Sequence, residues 1–338
     1  MEKIRLGRTN LLVTRPAFGA LPIQRLSVEE AGRILSRAVD AGVNYIDTAR
    51  SYTDSEEKIG AALFSRRSSL VISTKTQGKT GEKILEDLET SLRNLRTDYV
   101  DILQLHNANH VPLPGDGSGS YEALLRARES GKIRFIGITN HSIDSAVKAA
   151  RTGLYDTLQF PFSLLAAGRE LELPGLCKEL DLGFIAMKAL GGGLINDIPA
   201  AVAFIHKHEN VVPIWGIQKM EELEEFLALA SSPPLWDRSM EKRAEERRRE
   251  LGASFCRGCG YCLPCPTEID IPLVARILIL LKRAPASFTL NPAARAKLKT
   301  ALECIGCGAC KSRCPYGLDT PELVRINAEG YAAYLRTL

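Results

Sequence analysis

Eight times between residues 15 and 230, a short run of β-branched and aromatic residues is followed by a stretch of helical character. The runs are RPAFG, VNYID, LVIST, YVDILQL, IRFIGIT, TLQF, GFIAM and VVPIWG. They are apolar almost throughout, as strands covered on both faces must be. Amphipathic helical patterns occupy residues 29–41, 82–95, 121–130 and 220–230, and Gly42, Gly131 and Gly153 act as stops. A strand-then-helix repeat calls for a parallel sheet with its helices outside. Eight units in this length predict a (β/α)8 TIM barrel. A doubly wound open sheet is the alternative, but no Gly-rich phosphate turn follows the first strand. Ahead of that strand, KIRL, GRTN and LLV read as a hairpin closing the barrel floor.

The pattern stops after residue 230. Residues 231–254 hold SSPPLW and then DRSMEKRAEERRREL, which reads as a solvated helical connector. Acidic residues interleave with its basic ones, and the whole chain carries a net charge of only +4. Neither fact favours a nucleic-acid or membrane-surface partner. The longest apolar stretch, near Ile277 to Leu281, is flanked by Arg276, Lys282 and Arg283, too short to span a bilayer. MEKIRLGRTN has no apolar signal region, so a cytoplasmic location is expected. The organisation expected is a barrel over 1–230, the connector over 231–254, and a cysteine-bearing domain over 255–338.

Eight of the nine cysteines fall in that last domain. Disulfides are the bland explanation, disfavoured in a large chain without a secretion signal. The spacing speaks for metal instead. Cys256, Cys259, Cys262 and Cys265 are separated by two residues each and followed by Pro266. Cys304, Cys307, Cys310 and Cys314 follow the bacterial ferredoxin spacing, with Pro315 after them. Three thiolates at this spacing can take three irons of a cubane, and the fourth ligand comes from elsewhere. Structural zinc would prefer two separated pairs. Two [4Fe–4S] clusters are therefore expected. In two-cluster ferredoxins the fourth cysteine serves the other cluster. That pattern groups Cys256, Cys259, Cys262 and Cys314, and separately Cys304, Cys307, Cys310 and Cys265. Glycines 258, 260, 306 and 308 would let the loops approach the clusters. Two helical stretches between the motifs favour a mainly α-helical ferredoxin-like domain. The ninth cysteine, Cys177, reads as a small core residue.

Active sites of such barrels gather at the C-terminal strand ends. Asp47, Lys75 and His106 stand at successive strand ends, and Tyr52 lies in the loop after the first of these. Singly, each has a bland reading: a helix cap, a surface charge, a core histidine, a rim aromatic. Together they suggest a site.

LGRTNLLVTRPAFG, AGVNYIDTARSYTDSEEKIGAAL, VISTK, LRTDYVDILQLHN, GKIRFIGITNHS and MKALGGG resemble the aldo/keto reductase superfamily. They span most of the first 230 residues, and with the cysteine domain the chain resembles the family's ferredoxin-type branch. The resemblance implies an oxidoreductase acting on a small carbonyl or related substrate through the tetrad Asp47, Tyr52, Lys75 and His106. Tyr52 would supply the proton, Lys75 would lower its pKa from the usual value of about 10, Asp47 would hold Lys75, and His106 would orient the carbonyl. It also implies a nicotinamide, NADH or NADPH, with Thr139, Asn140 and Gln159 on the carboxamide. Lys188, Gly216 and Lys219 would lie along the rest of the cofactor. Glu222 and Phe226 depart from the family pattern, which places a basic residue and an Asn there, so preference should be weak or tilted to NADH.

Two functional readings follow. In the first, the clusters carry electrons to or from the barrel site, with a redox partner protein at the far end. In the second, the chain is an electron-transfer protein whose barrel is a docking scaffold without nicotinamide chemistry.

Overall fold

The computed structural model describes residues 1–338 except 109, 193–194, 253–254, 259, 284–285 and 315, and except the side chains of 250–252 and 283. The chain divides into two units, Met1–Asp237 and Arg238–Leu338.

The first unit opens with an antiparallel hairpin of β1 (Lys3–Arg5) and β2 (Leu12–Thr14). Eight parallel strands follow: β3 (Ala17–Gly19), β4 (Tyr45–Asp47), β5 (Val71–Thr76), β6 (Val100–Leu105), β7 (Ile133–Thr139), β8 (Thr157–Pro161), β9 (Gly183–Met187) and β10 (Val211–Gly216). They pair in chain order, and β10 bonds both β9 and β3, so the barrel is closed. The helices are α1 (Val28–Asp40), α2 (Ser55–Leu63), α3 (Gly81–Leu95), α4 (Ser120–Glu129), α5 (Ile143–Arg151), α6 (Arg169–Glu179), α7 (Ile198–His206) and α8 (Met220–Ser231).

Local chemistry sets their ends. Ser27 and Glu30 form a reciprocal cap on α1, and Thr80, Ser142 and Asp197 cap α3, α5 and α7. Each such cap is worth about 1 kcal/mol. Gly42, Gly131 and Gly153 take positive φ after α1, α4 and α5. Cys177 is fully buried on α6.

Leu6, Leu11 and Val13 of the hairpin pack with Tyr45, Val71, Ile102, Ile185, Val212 and Ile214 in one apolar layer. These lie towards the N-terminal ends of their strands, so the hairpin plugs the floor. The polar positions collect at the opposite rim.

The second unit is helical: α9 (Arg238–Gly252), α10 (Ile271–Val274), α11 (Ile277–Arg283), α12 (Ala286–Thr289), α13 (Pro292–Ala301), α14 (Ala309–Ser312) and α15 (Thr320–Leu335). Its core gathers Cys262, Ile269, Ile271, Val274, Ile277, Leu298, Cys310, Val324 and Tyr331. The stretch from Ile271 to Arg283 is not one helix. It breaks at Ala275 and Arg276. There Arg276 Nε donates to Pro272 O at 2.6 Å, and the guanidinium lies against Gly258, where an added Cβ would sit 2.6 Å from Cζ. Among the described residues no helix is long and apolar enough to cross a membrane.

Candidate functional site

Parallel register brings the barrel's polar residues into line. Asp47 ends β4 opposite Ser73, Lys75 lies opposite Gln104, and Thr139 opposite Gln159. Side chains alternate along a strand, so Ser73 shares a face with Lys75, and Gln104 with His106 just beyond β6.

Lys75 Nζ donates to Asp47 Oδ2 at 2.5 Å and to the Thr48 carbonyl at 2.7 Å. Both partners of this ion pair are buried. Buried charges are tolerable only when their remaining hydrogen-bonding capacity is used. Here Asp47 Oδ1 also accepts from Ser73 Oγ at 2.6 Å and Gln104 Nε2 at 3.1 Å. The same Gln104 amide donates to Gln159 Oε1 at 2.8 Å. Beneath it Gly137 leaves space for Gln104: a Cβ there would stand 2.4 Å from Thr157 Oγ1 and 2.8 Å from Gln104 Cγ.

Tyr52 and His106 complete the cluster. The Lys75 ammonium lies 5.2 Å from the Tyr52 ring centroid. The two rings meet edge to face at 5.8 Å, and Ser51 Oγ is 3.3 Å from His106 Nδ1. Burial raises the Tyr52 hydroxyl, Lys75 opposes by charge and hydrogen bonding, and Asp47 adds to the rise. The net direction is upward. This corrects the expectation that Lys75 would leave the phenol below its ordinary value, because removal from water outweighs one ammonium. His106 is lowered to about 3, by burial first and then by Lys75 and Lys188. Its imidazole is therefore neutral near pH 7.

The residues aligned with nicotinamide contacts stand at the same rim. Thr139 Oγ1 accepts from Asn107 N at 2.7 Å. Asn140 Nδ2 donates to Ala108 O at 2.7 Å, while its Oδ1 is buried with no partner among the described residues. Lys188 follows β9 with φ +54°, and Gly216 ends β10. Ahead of α8, Glu222 folds back and its Oε2 accepts from Gln218 N at 2.9 Å and Lys219 N at 3.3 Å. Phe226 stacks on Trp215 at 4.6 Å.

In the second unit Cys265, Cys304, Cys307 and Cys310 line one cavity, with Cys262, Ile269, Ile305 and Val324. Cys256 and Cys314 meet in a separate packing cluster with Ala275, Leu318 and Tyr316. Cys259 lies outside the described residues. These cysteines surround a space instead of converging on a point. Among the described residues no three His, Cys, Asp or Glu side chains gather as ligands of one ion. A cubane, each of whose four irons takes one thiolate, asks for that spread arrangement. Glycines 258, 260, 306 and 308 all have positive φ, which only glycine takes without strain.

The sequence reading missed Ser73, Gln104, Gly137 and Arg276. Gln104 was within reach, since it stands two residues before His106 on the same strand. Gly137 and Arg276 earn their places through non-local contacts.

A closed parallel barrel with a Lys–Asp pair, a tyrosine and a histidine at its C-terminal rim belongs to the class of barrel oxidoreductases. The chain is a member of the aldo/keto reductase family, whose model matches residues 17–198. Residues 255–319 match the 4Fe-4S dicluster domain, so the second unit is an iron–sulfur domain. Among similar proteins is the uncharacterized oxidoreductase YrpG of Bacillus subtilis, 30% identical over 227 residues, covering 58% of this chain and 68% of that one. Methylglyoxal reductase DkgB of Salmonella typhimurium is 37% identical over 205 residues, covering 57% and 74%. Among solved structures, the Klebsiella pneumoniae aldo-keto reductase in complex with NADPH has a TM-score of 0.64 at 22% identity, covering 72% of this chain and 94% of that one.

Proposed function

We propose that the barrel reduces, or in reverse forms, a carbonyl on a small molecule at Tyr52, and that the two [4Fe–4S] clusters carry electrons to or from that site. The observation that carries the reading is the buried Lys75–Asp47 pair, fully bonded and set beside Tyr52 and His106. A charge held this deep by three strand ends is costly to build, and it adjoins Tyr52, a tyrosine that could give a proton. Burial pushes the Tyr52 hydroxyl above its ordinary range, which favours the protonated phenol. Neutral His106 is suited to donate a hydrogen bond to a carbonyl oxygen, not a proton to it.

A reduced nicotinamide, when bound, supplies hydride. The Oδ1 of Asn140, buried and without a partner among the described residues, supports its presence, since a carboxamide N–H would satisfy that acceptor. Thr139 and Gln159 would flank it, with Lys188, Gly216 and Lys219 along the remainder. The Glu222 carboxylate already takes the backbone N–H groups of Gln218 and Lys219. A 2′-phosphate there would meet both a filled anion seat and a like charge. The cofactor favoured is therefore NADH. The cysteine sets of the second unit would hold centres that supply one electron each, whereas hydride carries two, so any exchange with the barrel would need two single-electron transfers.

The second reading is the scaffold without nicotinamide chemistry. The occupied loop ahead of α8 and the stacking of Phe226 on Trp215 favour it. A titration of anaerobically purified protein with NADH, NADPH and FMN, followed by turnover with a panel of aldehydes, decides between them. NADH binding with aldehyde reduction supports the first reading. Neither binding nor turnover sinks it.

A further inference from the structure

The cysteines of the iron–sulfur unit are not equally covered. Cys256, Cys262 and Cys310 are buried, Cys265 and Cys314 are half-buried, and Cys304 and Cys307 are exposed. Between the two exposed thiols stands Ile305, 66% exposed, and just before them Leu302, 54% exposed. Ile305 also lines the cavity shared by Cys265, Cys304, Cys307 and Cys310. Apolar side chains therefore stand in water directly over a cluster site. Alone two such side chains are ordinary; their position at a cluster site and the charge around them are what point to a contact surface.

The rim of this patch is cationic. Lys299 lies in the last turn of α13, where its carbonyl accepts from Leu302 N at 3.0 Å. Arg313 donates to Pro264 O at 3.1 Å, beside Cys265. Lys311 and Lys297 are paired with Asp319 and Asp270, whereas among the described residues Lys299 and Arg313 have no ion-pair partner. Glu303 is the one acidic residue within the exposed segment. The unit as a whole carries 17 Lys and Arg against 10 Asp and Glu, a net of +7, while the barrel unit is at −3.

We propose that the face around Cys304, Ile305 and Cys307 docks a small acidic one-electron carrier protein of the ferredoxin or flavodoxin type. An apolar centre within an unpaired cationic rim suits a weak, electrostatically steered encounter, as electron-transfer pairs make. In the exchange the reduced carrier loses one electron, the iron–sulfur centre behind Cys304 and Cys307 gains it, and no bond or proton moves. The proposal rests on the electron-carrying role given to the clusters above, but its test reads binding and not turnover.

The test titrates the full chain, anaerobically purified with its iron in place, against an acidic plant-type [2Fe–2S] ferredoxin by calorimetry at low and high salt. Binding should be measurable at low salt and weaken as salt rises. The double variant Lys299→Glu/Arg313→Glu should weaken it by about tenfold or more, as reversed rim charges do. Ile305→Ser should weaken it with iron content unchanged. If the double variant loses iron, Lys299→Ala/Arg313→Ala replaces it, with a smaller loss expected. Tyr52→Phe should bind as the parent does, which separates this proposal from the carbonyl chemistry. No binding at low salt, or equal binding by the rim variants, overturns it. So does sedimentation showing a dimer of this chain that Ile305→Ser dissolves, since the face would then belong to a second copy.

Discussion

In the barrel, the polar groups hang from strand ends above a separate apolar layer made by the floor of the fold. In the iron–sulfur unit, Cys262 and Cys310 are themselves members of the core, packed with Ile271, Val274 and Tyr331. One site rests on a core, and the other is part of its core. The barrel can therefore lose a reacting group and keep its shape. A helical unit whose ligands sit in its core should fold with its clusters, as small metal domains do.

The sharpest way to break this contrast is in the barrel. Tyr52→Phe should cut aldehyde turnover by about 10²–10⁴, the usual worth of a positioned acid, with thermal unfolding unchanged. Unaltered turnover would remove the proton-donor role and favour the scaffold reading. Asp47→Asn strikes the foundation instead. It leaves Lys75 buried without its counter-charge, at a cost of about 3–5 kcal/mol. Denaturant unfolding should register that loss, and a variant as stable as the parent would contradict the coupling drawn from the 2.5 Å contact.

Iron probes the other half. Cys310→Ser should lower iron from about eight to about four atoms per chain and loosen the helical unit. Chelation should abolish one calorimetric transition and spare the barrel's. A single transition lost whole would mean that the two units do not fold independently.

Smaller effects refine the barrel site. Glu222→Arg should shift preference toward NADPH on the order of tenfold, about one charge-assisted hydrogen bond. It vacates the N–H groups of Gln218 and Lys219 and reverses a charge. A strong NADPH preference in the parent would contradict the assignment. The least effect expected is in the pH profile of reduction. His106 is neutral above about 3 and Tyr52 stays protonated past its ordinary range, so kcat/KM should show no step near pH 6.5. Stability is another matter. As pH falls below about 6.5 the unfolded chain's His106 takes up a proton that the folded chain accepts only near 3, so acid destabilises the fold.

Much of the barrel was legible because its strands are short, apolar and separated by helices of ordinary length. IRFIGIT, GFIAM and VVPIWG are strands over the whole of each run. What a one-dimensional pattern cannot carry is register. Asp47 and Gln104 are 57 positions apart, and only the alignment of β4, β5 and β6 lets them bond. The same holds for the break at Arg276. Its local sequence is a continuous helical pattern, and the contact made at the interruption is with Gly258, a residue on another loop. The direction of the Tyr52 shift was misjudged for a related reason: the neighbouring charge is visible in the motif, but the depth of burial is not.

The hairpin at the barrel floor has a consequence for kinetics. With Leu6, Leu11 and Val13 sealed into the lower layer, the barrel is closed at its floor. Whatever reacts at Tyr52 must then come and go on the side of the C-terminal rim, where a cofactor and a substrate would share one approach. A molecule seated deepest cannot depart until the one above it has gone. Binding and release should then follow a compulsory order, and the last molecule to enter should be the first to compete with its own product.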